Sequence, residues 1–189
     1  MPTYTTIATI LWIILVAYWI ISALASKKTL RNKIWTRGIL IRFSFAFIVY
    51  LFLKYTPGSY TWFVYIPSIT HPVLGLTGVI LVFIGVSLAI WARAYLGTNW
   101  GMPMSLKENP ELVTTGPYAY IRNPIYTGVL VAMLGSVAVF GMFWLMIFVF
   151  AGVYFIYSSK QEEKIMLKEF PETYPEYKSR TKMFIPFVF

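Results

Sequence analysis

The sequence contains no cysteine and a single histidine. The first absence excludes disulfides, a thiolate nucleophile and any thiolate metal centre. The second excludes chemistry that needs two imidazoles, since His71 stands alone. Charge is scarce too: 12% of the 189 residues are charged, about half the usual share. Acids are scarcer than bases, seven against 16, which leaves a net charge of +9. No glycine-rich strand–turn–helix fingerprint occurs, so a Rossmann dinucleotide domain is not expected. Internal repeats and low-complexity tracts are also missing.

What the chain has in abundance is apolar surface, with 58% of residues hydrophobic. A globule of this length buries too small a fraction of its surface to hide that much. A lipid solvent removes the difficulty. Met1–Ala25 has no basic leading region, and its apolar run is too long for a signal-peptide core, so it reads as a retained helix. A spanning helix needs about 20 mostly apolar residues. Tyr4–Ala25 is the first such run, Gly38–Tyr55 the second and Pro72–Leu96 the third, with Pro72 suited to a first helical turn. A basic loop, 26–37, holds Lys27, Lys28, Arg31, Lys33 and Arg37. An aromatic loop with Pro57, Gly58 and Pro67 follows the second run, and His71 reads as an interfacial residue at its end. A polar connection, 97–123, comes next. The apolar run Pro124–Tyr157 is too long for one ordinary span and divides at Gly141. The tail, 158–189, is charged and aromatic.

The expected fold is therefore an all-α membrane protein with about five transmembrane helices. The last two form a short helical hairpin, 124–157, ahead of a C-terminal helical tail. Residues 1–96 form a three-span unit, and 97–189 form the functional region, made of the connection 97–123, the hairpin 124–157 and the tail 158–189. Five spans place the basic loop, the connection and the tail on one face, with most of the Lys and Arg and all seven glutamates. The positive-inside rule then puts the N-terminus outside and the C-terminus in the cytoplasm. The positive charge reads as a topology determinant, with anionic lipid headgroups the other reading of the first loop. No nucleic-acid partner is expected. Lack of cysteine and minimal size point to a prokaryotic cell membrane, and a monomer is the expected state.

Two polar segments could carry chemistry. In the first, Leu112 to Gly128, Gly116-Pro117 makes a turn and Asn123-Pro124 reads as cap and first residue of a helix. A helix N-terminus is a natural anion seat, and Arg122 would strengthen it. Tyr118, Tyr120 and Tyr126 supply flat faces and hydroxyls. The alternative is an ordinary interfacial loop with an aromatic belt and a snorkelling Arg122. In the second segment, Glu162 and Glu163 project about 100° apart on a helix, so one can face a site while the other faces water. A carboxylate there could hold a ribose diol or an ammonium group. The alternative is a solvated helix with Glu163 paired to Lys164 or Lys168.

Together the segments are more specific. Gly116-Pro117-Tyr118, Tyr120, Arg122, Pro124, Tyr126 and Gly128 precede a helical hairpin, followed by Glu162-Glu163, Leu167, Phe170, Tyr174 and Tyr177-Lys178. From Leu96 to Pro186 this resembles the integral-membrane isoprenylcysteine carboxyl methyltransferases, in their prokaryotic form, and the related phospholipid N-methyltransferases. The resemblance implies S-adenosylmethionine as cofactor, with S-adenosylhomocysteine as product. It implies cofactor contacts at Pro110, Glu111, Leu112, Val113, Tyr118, Asn123, Pro124, Ile125, Tyr126 and Glu162. Arg122 and the helix start at Asn123 would receive the methionine carboxylate, and Tyr118 and Tyr126 would wall the adenine or the sulfonium. No catalytic base and no metal are expected. The acceptor would be lipophilic, most simply a prenylcysteine-like carboxylate entering from the bilayer, or else a phospholipid or other lipid amine.

Two positions depart from the family. Asn123 stands where the family usually has histidine, and Asn cannot take a proton at neutral pH. A carboxylate acceptor needs no base, being already anionic, and its methylation depends on alignment and water exclusion. Ser158 stands where the prenylcysteine enzymes carry an arginine that serves the substrate carboxylate, which puts that substrate in question. Small residues in the third span (Gly75, Gly78, Gly85, Ala89) read as packing positions. Arg93 either pairs with a tail glutamate or snorkels. A longer sterol-reductase-like enzyme using a nicotinamide cofactor and a non-catalytic lipid-binding protein are the competing readings.

Overall fold

The computed structural model describes residues 2–27, 29–30, 72–101 and 106–186, with isolated positions 40, 43, 44, 47 and 51. The predicted second span, the aromatic loop, His71 and much of the basic loop lie outside the described residues.

Five helices carry the described architecture: α1 (Pro2–Ala23), α2 (Pro72–Leu96), α3 (Pro124–Phe140), α4 (Phe143–Glu169) and α5 (Thr173–Arg180). Three are long and apolar enough to cross a membrane, over Thr3–Ala23, Pro72–Asn99 and Phe143–Glu169; α3 is apolar but shorter. Large apolar side chains such as Ile20, Ile21, Phe83 and Val153 point outward, as a lipid solvent allows. α2 and α3 both open on proline, whose missing N–H costs nothing in a first turn. α3 ends at Gly141, whose φ of 100° is strained for any residue with a Cβ. The hairpin break thus falls where the sequence places it. As expected of a helical second segment, the second arm continues past the apolar run: α4 runs unbroken from Phe143 to Glu169, because nothing between Tyr157 and Phe170 breaks a helix.

α2 and α3 meet backbone to backbone. A Cβ on Gly85 would lie 2.4 Å from Gly128 O and 2.4 Å from Ala132 N, and one on Gly78 would lie 2.8 Å from Gly135 O. Small residues at helical spacing on both helices make this approach possible, and close packing is what joins helices in lipid. Gly75 instead receives the ring of Tyr4 from α1. Ala8 and Leu15 of α1 complete a core with Val82, Val86, Ala89, Val129, Ala132 and Val139. Trp12 Nε1 donates to Ser136 Oγ at 3.0 Å, so α1 also grips α3.

At the polar end Arg93 is buried. It neither snorkels nor pairs with a tail glutamate. Its guanidinium donates to Gly97 O and Ser22 O at 2.6 Å each and to Ser26 Oγ at 3.3 Å, and lies over the Trp100 ring. These partners sit at the C-terminal ends of α1 and α2, where the helix dipoles favour a cation. Beside them a short antiparallel pair, β1 (Thr29–Leu30) with β2 (Leu106–Lys107), fastens the connection to the chain leaving α1.

Candidate functional site

The first polar segment contains a 3-10 turn, Gly116–Ala119. Gly116 has φ of 59°, and a Cβ there would strike the ring of Tyr95 on α2, so the turn is seated against that helix. It buries Tyr118, whose carbonyl accepts the Tyr177 hydroxyl of α5 at 2.8 Å. Burial raises the Tyr118 phenol far above its ordinary pKa, Tyr177 and Glu162 add to the rise, and Arg93 opposes it. Tyr118 is therefore neutral across the physiological range, a ring and a hydrogen-bonding hydroxyl rather than a base.

Ile121 to Asn123 then run alongside the tail. Ile121 pairs with Lys182 in parallel. Arg122 N–H donates to Lys182 O at 2.8 Å and Asn123 N–H to Met183 O at 3.1 Å. The Asn123 side chain makes no capping bond; its Nδ2 donates to Met183 O at 3.2 Å. Asn123 keeps the N-cap position ahead of Pro124, but its amide is turned to the tail, so a tether stands where a side-chain capping bond was expected. Thr127 Oγ1 adds a bond to Phe184 O at 2.8 Å. Between these tethers Pro124 is fully buried and Ile125 half-buried.

Arg122 also differs from expectation. Its Nε and NH2 donate to Glu163 Oε1 at 3.0 and 2.9 Å. Its NH1 reaches Lys178 O at 3.2 Å and Thr181 O. Lys178 Nζ donates to Glu163 Oε2 at 2.7 Å. The guanidinium is committed to the carboxylate and the tail backbone, not held open for an anion. Glu163 is correspondingly buried rather than solvated with Lys164 or Lys168. The sequence signal that could have found this is the long-range pairing of an Arg before one helix with a Glu-Glu pair on the next.

Glu162 faces another group. The Tyr126 hydroxyl donates to its Oε1 at 2.6 Å and the Ser158 hydroxyl donates to the same oxygen at 3.0 Å. Tyr126 stacks on Phe155, with ring centroids 4.4 Å apart, and Ser158 is fully buried. A carboxylate from the second segment is thereby fixed by a tyrosine from the first, beside Tyr118. An oriented carboxylate among aromatic rings can accept from a diol or an ammonium and can accommodate a soft cation over a ring face.

Pro110, Glu111, Leu112 and Val113 precede the turn at Gly116 and have no regular secondary structure. Glu111 is bound by Lys27 Nζ at 2.8 Å and its N–H donates to Asn99 Oδ1 at 3.2 Å. The hydrogen bond from Lys27, then that from Asn99, holds the Glu111 carboxyl below its ordinary pKa. Among the described residues no three of His, Asp and Glu come together as a metal site.

The sequence model of the phospholipid methyltransferase family matches residues 73–173, more than half of the chain. Among curated proteins the chain is 28% identical over 115 residues to the nickel-cobalt-cadmium resistance protein NccN of Alcaligenes xylosoxydans xylosoxydans, covering 60% of this chain and 48% of that one. It is 30% identical over 115 residues to the cobalt-zinc-cadmium resistance protein CzcN of Cupriavidus metallidurans, with the same coverage. The chain spans about half the length of the curated relatives it matches. The matched segment begins in α2, takes in the turn at Gly116, the whole hairpin and both glutamates, and ends where α5 begins; on that ground the chain belongs to the phospholipid methyltransferase family.

Proposed function

We propose that this protein is a membrane-embedded methyltransferase that moves the methyl group of S-adenosylmethionine to a lipophilic acceptor. The observation that carries the reading is the bond between the two motifs: Tyr126 of the first segment donates to Glu162 of the second at 2.6 Å. Two segments separated by a hairpin meet at one carboxylate, beside a buried neutral tyrosine. On this reading Glu162 receives polar hydrogens of the nucleoside or the amino group, and Tyr118 and Tyr126 wall the adenine or the sulfonium. Pro110–Val113 and the Asn123–Ile125 corner border the same cofactor. Arg122 serves by holding the tail in place rather than by direct contact.

The chemistry asks little more of the protein than alignment. A lone pair on the acceptor attacks the methyl carbon, the carbon–sulfur bond breaks, and its electron pair stays on sulfur, giving S-adenosylhomocysteine. Holding the two reactants in line and excluding water supplies most of the acceleration available. The acceptor enters from the bilayer, and the cofactor from the cytoplasm, where the tail lies if the C-terminus is inside.

A carboxylate of the prenylcysteine type fits Asn123, which cannot take a proton at neutral pH. A second reading, a lipid amine, is favoured by Ser158. That position is buried and spends its hydroxyl on Glu162, so it offers no cation to a substrate carboxylate. An amine acceptor would bring its own requirement, loss of a proton before attack.

The test is calorimetric titration of the detergent-purified protein with S-adenosylhomocysteine, beside Glu162→Ala. The wild type should bind and the variant should not. A folded wild type that fails to bind would overturn the methyltransferase reading and turn attention to nicotinamide cofactors or a lipid-binding role. Undiminished binding by Glu162→Ala would move the cofactor away from this carboxylate.

A further inference from the structure

The segment from Asn109 to Val113 has no regular structure of its own, yet its path is fixed at several points. Asn109 is bent to φ of 46°, the one non-glycine residue at positive φ among the described residues. Its carbonyl accepts from Lys27 Nζ at 2.9 Å, and Glu111 Oε1 accepts from the same ammonium at 2.8 Å. Asn99 Oδ1 accepts from Lys27 Nζ at 3.0 Å and from the Glu111 N–H at 3.2 Å. One ammonium and one amide thus hold both the backbone and the side chain of this bend. They are themselves anchored: Lys27 N–H donates to Thr98 O at 2.9 Å, and Arg93 holds Ser22 and Ser26 just before Lys27.

We propose that Lys27 and Asn99 are positioning residues for the cofactor site, setting the path of Pro110–Val113 from the ends of the first two described helices. This rests on the reading that Pro110–Val113 borders the cofactor. Lys27 comes from a part of the chain outside the family match, so it makes the first helix a component of the site rather than only a membrane anchor. Glu111 is largely exposed, and exposed ion pairs add little to fold stability. The effect of the cluster is therefore geometric. Displacing a binding segment by a fraction of an ångström weakens a ligand without unfolding its protein.

The experiment is S-adenosylhomocysteine titration of the full chain in detergent, with melting temperature measured alongside. Lys27→Met and Asn99→Ala should each weaken binding about five- to tenfold, the scale of one lost hydrogen bond, and the double variant should be little worse than either single one, because both act through one bend. Lys27→Arg should restore most of the affinity, and melting should be unchanged. A wild type that binds and a Lys27→Met variant that binds equally well would overturn the positioning role while leaving the methyltransferase reading in place. A wild type that does not bind overturns both. If Lys27→Met melts early, Asn99→Ala decides alone, since it leaves the Lys27–Glu111 pair intact: weakened binding upholds the role and unchanged binding refutes it.

Discussion

Replacing Glu163 with alanine tests how the tail is held. Its carboxylate takes two bonds from Arg122, at 2.9 and 3.0 Å, and one from Lys178 at 2.7 Å. The Glu163 and Arg122 side chains are each 11% exposed. Removing one member of such a pair leaves a nearly buried charge without its counter-ion, which costs about 3–5 kcal/mol. The lower end applies here. Lys178 is 42% exposed and finds water, and Arg122 keeps the carbonyls of Lys178 and Thr181. A loss of about 3 kcal/mol shifts the docking equilibrium of the tail roughly 150-fold. The readout is amide hydrogen exchange in detergent at Arg122 and Asn123, whose N–H groups donate to Lys182 O and Met183 O. Both should lose protection by about two decades. Glu176→Gln is the control. Glu176 meets Arg180 at 3.8 Å with both side chains mostly exposed, so its loss should change protection little. If Glu163→Ala exchanges no faster than Glu176→Gln, the ion triad does not lock the tail, and the backbone pairing with the Asn123 and Thr127 tethers must hold it.

The other expectations are briefer. Gly85→Ala should lower the thermal stability of the protein in detergent by about 1–3 kcal/mol, because the new Cβ meets Gly128 O and Ala132 N and neither backbone can move aside; an unchanged melting temperature would contradict the close approach of α2 and α3. Tyr126→Phe keeps the stack on Phe155 but removes the hydroxyl donated to Glu162, and should weaken S-adenosylhomocysteine by roughly tenfold, as loss of a bond to a charged group does. Equal affinity would mean that Tyr126 does not orient the carboxylate. Burial raises Tyr177 from 10.0 to about 12, against the opposing charges of Arg122 and Arg180. A raised pKa makes its contribution to stability complete below pH 10 and lost as pH climbs through about 12. Phenolate absorbance should therefore show a late-titrating tyrosine that is missing in Tyr177→Phe; a titration that ends near pH 10 would refute the burial of that hydroxyl.

Local pattern was enough for the spans that the structure describes. The apolar runs, the prolines at 72 and 124 and the glycine at 141 act on their own neighbours in the chain, so hydropathy and turn chemistry locate α1, α2 and the α3–α4 break. The spacing of Gly75, Gly78, Gly85 and Ala89 likewise marks a face for close packing. Motif order placed the candidate site in the C-terminal half, and the structure brings its Tyr126 and Glu162 within hydrogen-bond distance. What each polar group bonds to was decided elsewhere. Glu162 and Glu163 are adjacent and chemically identical, and no periodicity says which meets Tyr126 and which meets Arg122; that follows from α5 returning beside α4 and bringing Lys178 with it. Asn123 keeps the N-cap position that the sequence gives it, but its amide is bonded to the Met183 carbonyl that the tail brings alongside. Arg93 reads as a snorkelling cation until the ends of α1 and α2 close around it, and Lys27 reads as a topology signal although its carboxylate partner lies 84 residues away. Helix formation and membrane insertion are settled by contacts a few residues apart, whereas the choice among many acceptors for one buried donor depends on which distant segments the packed helices bring within 3 Å.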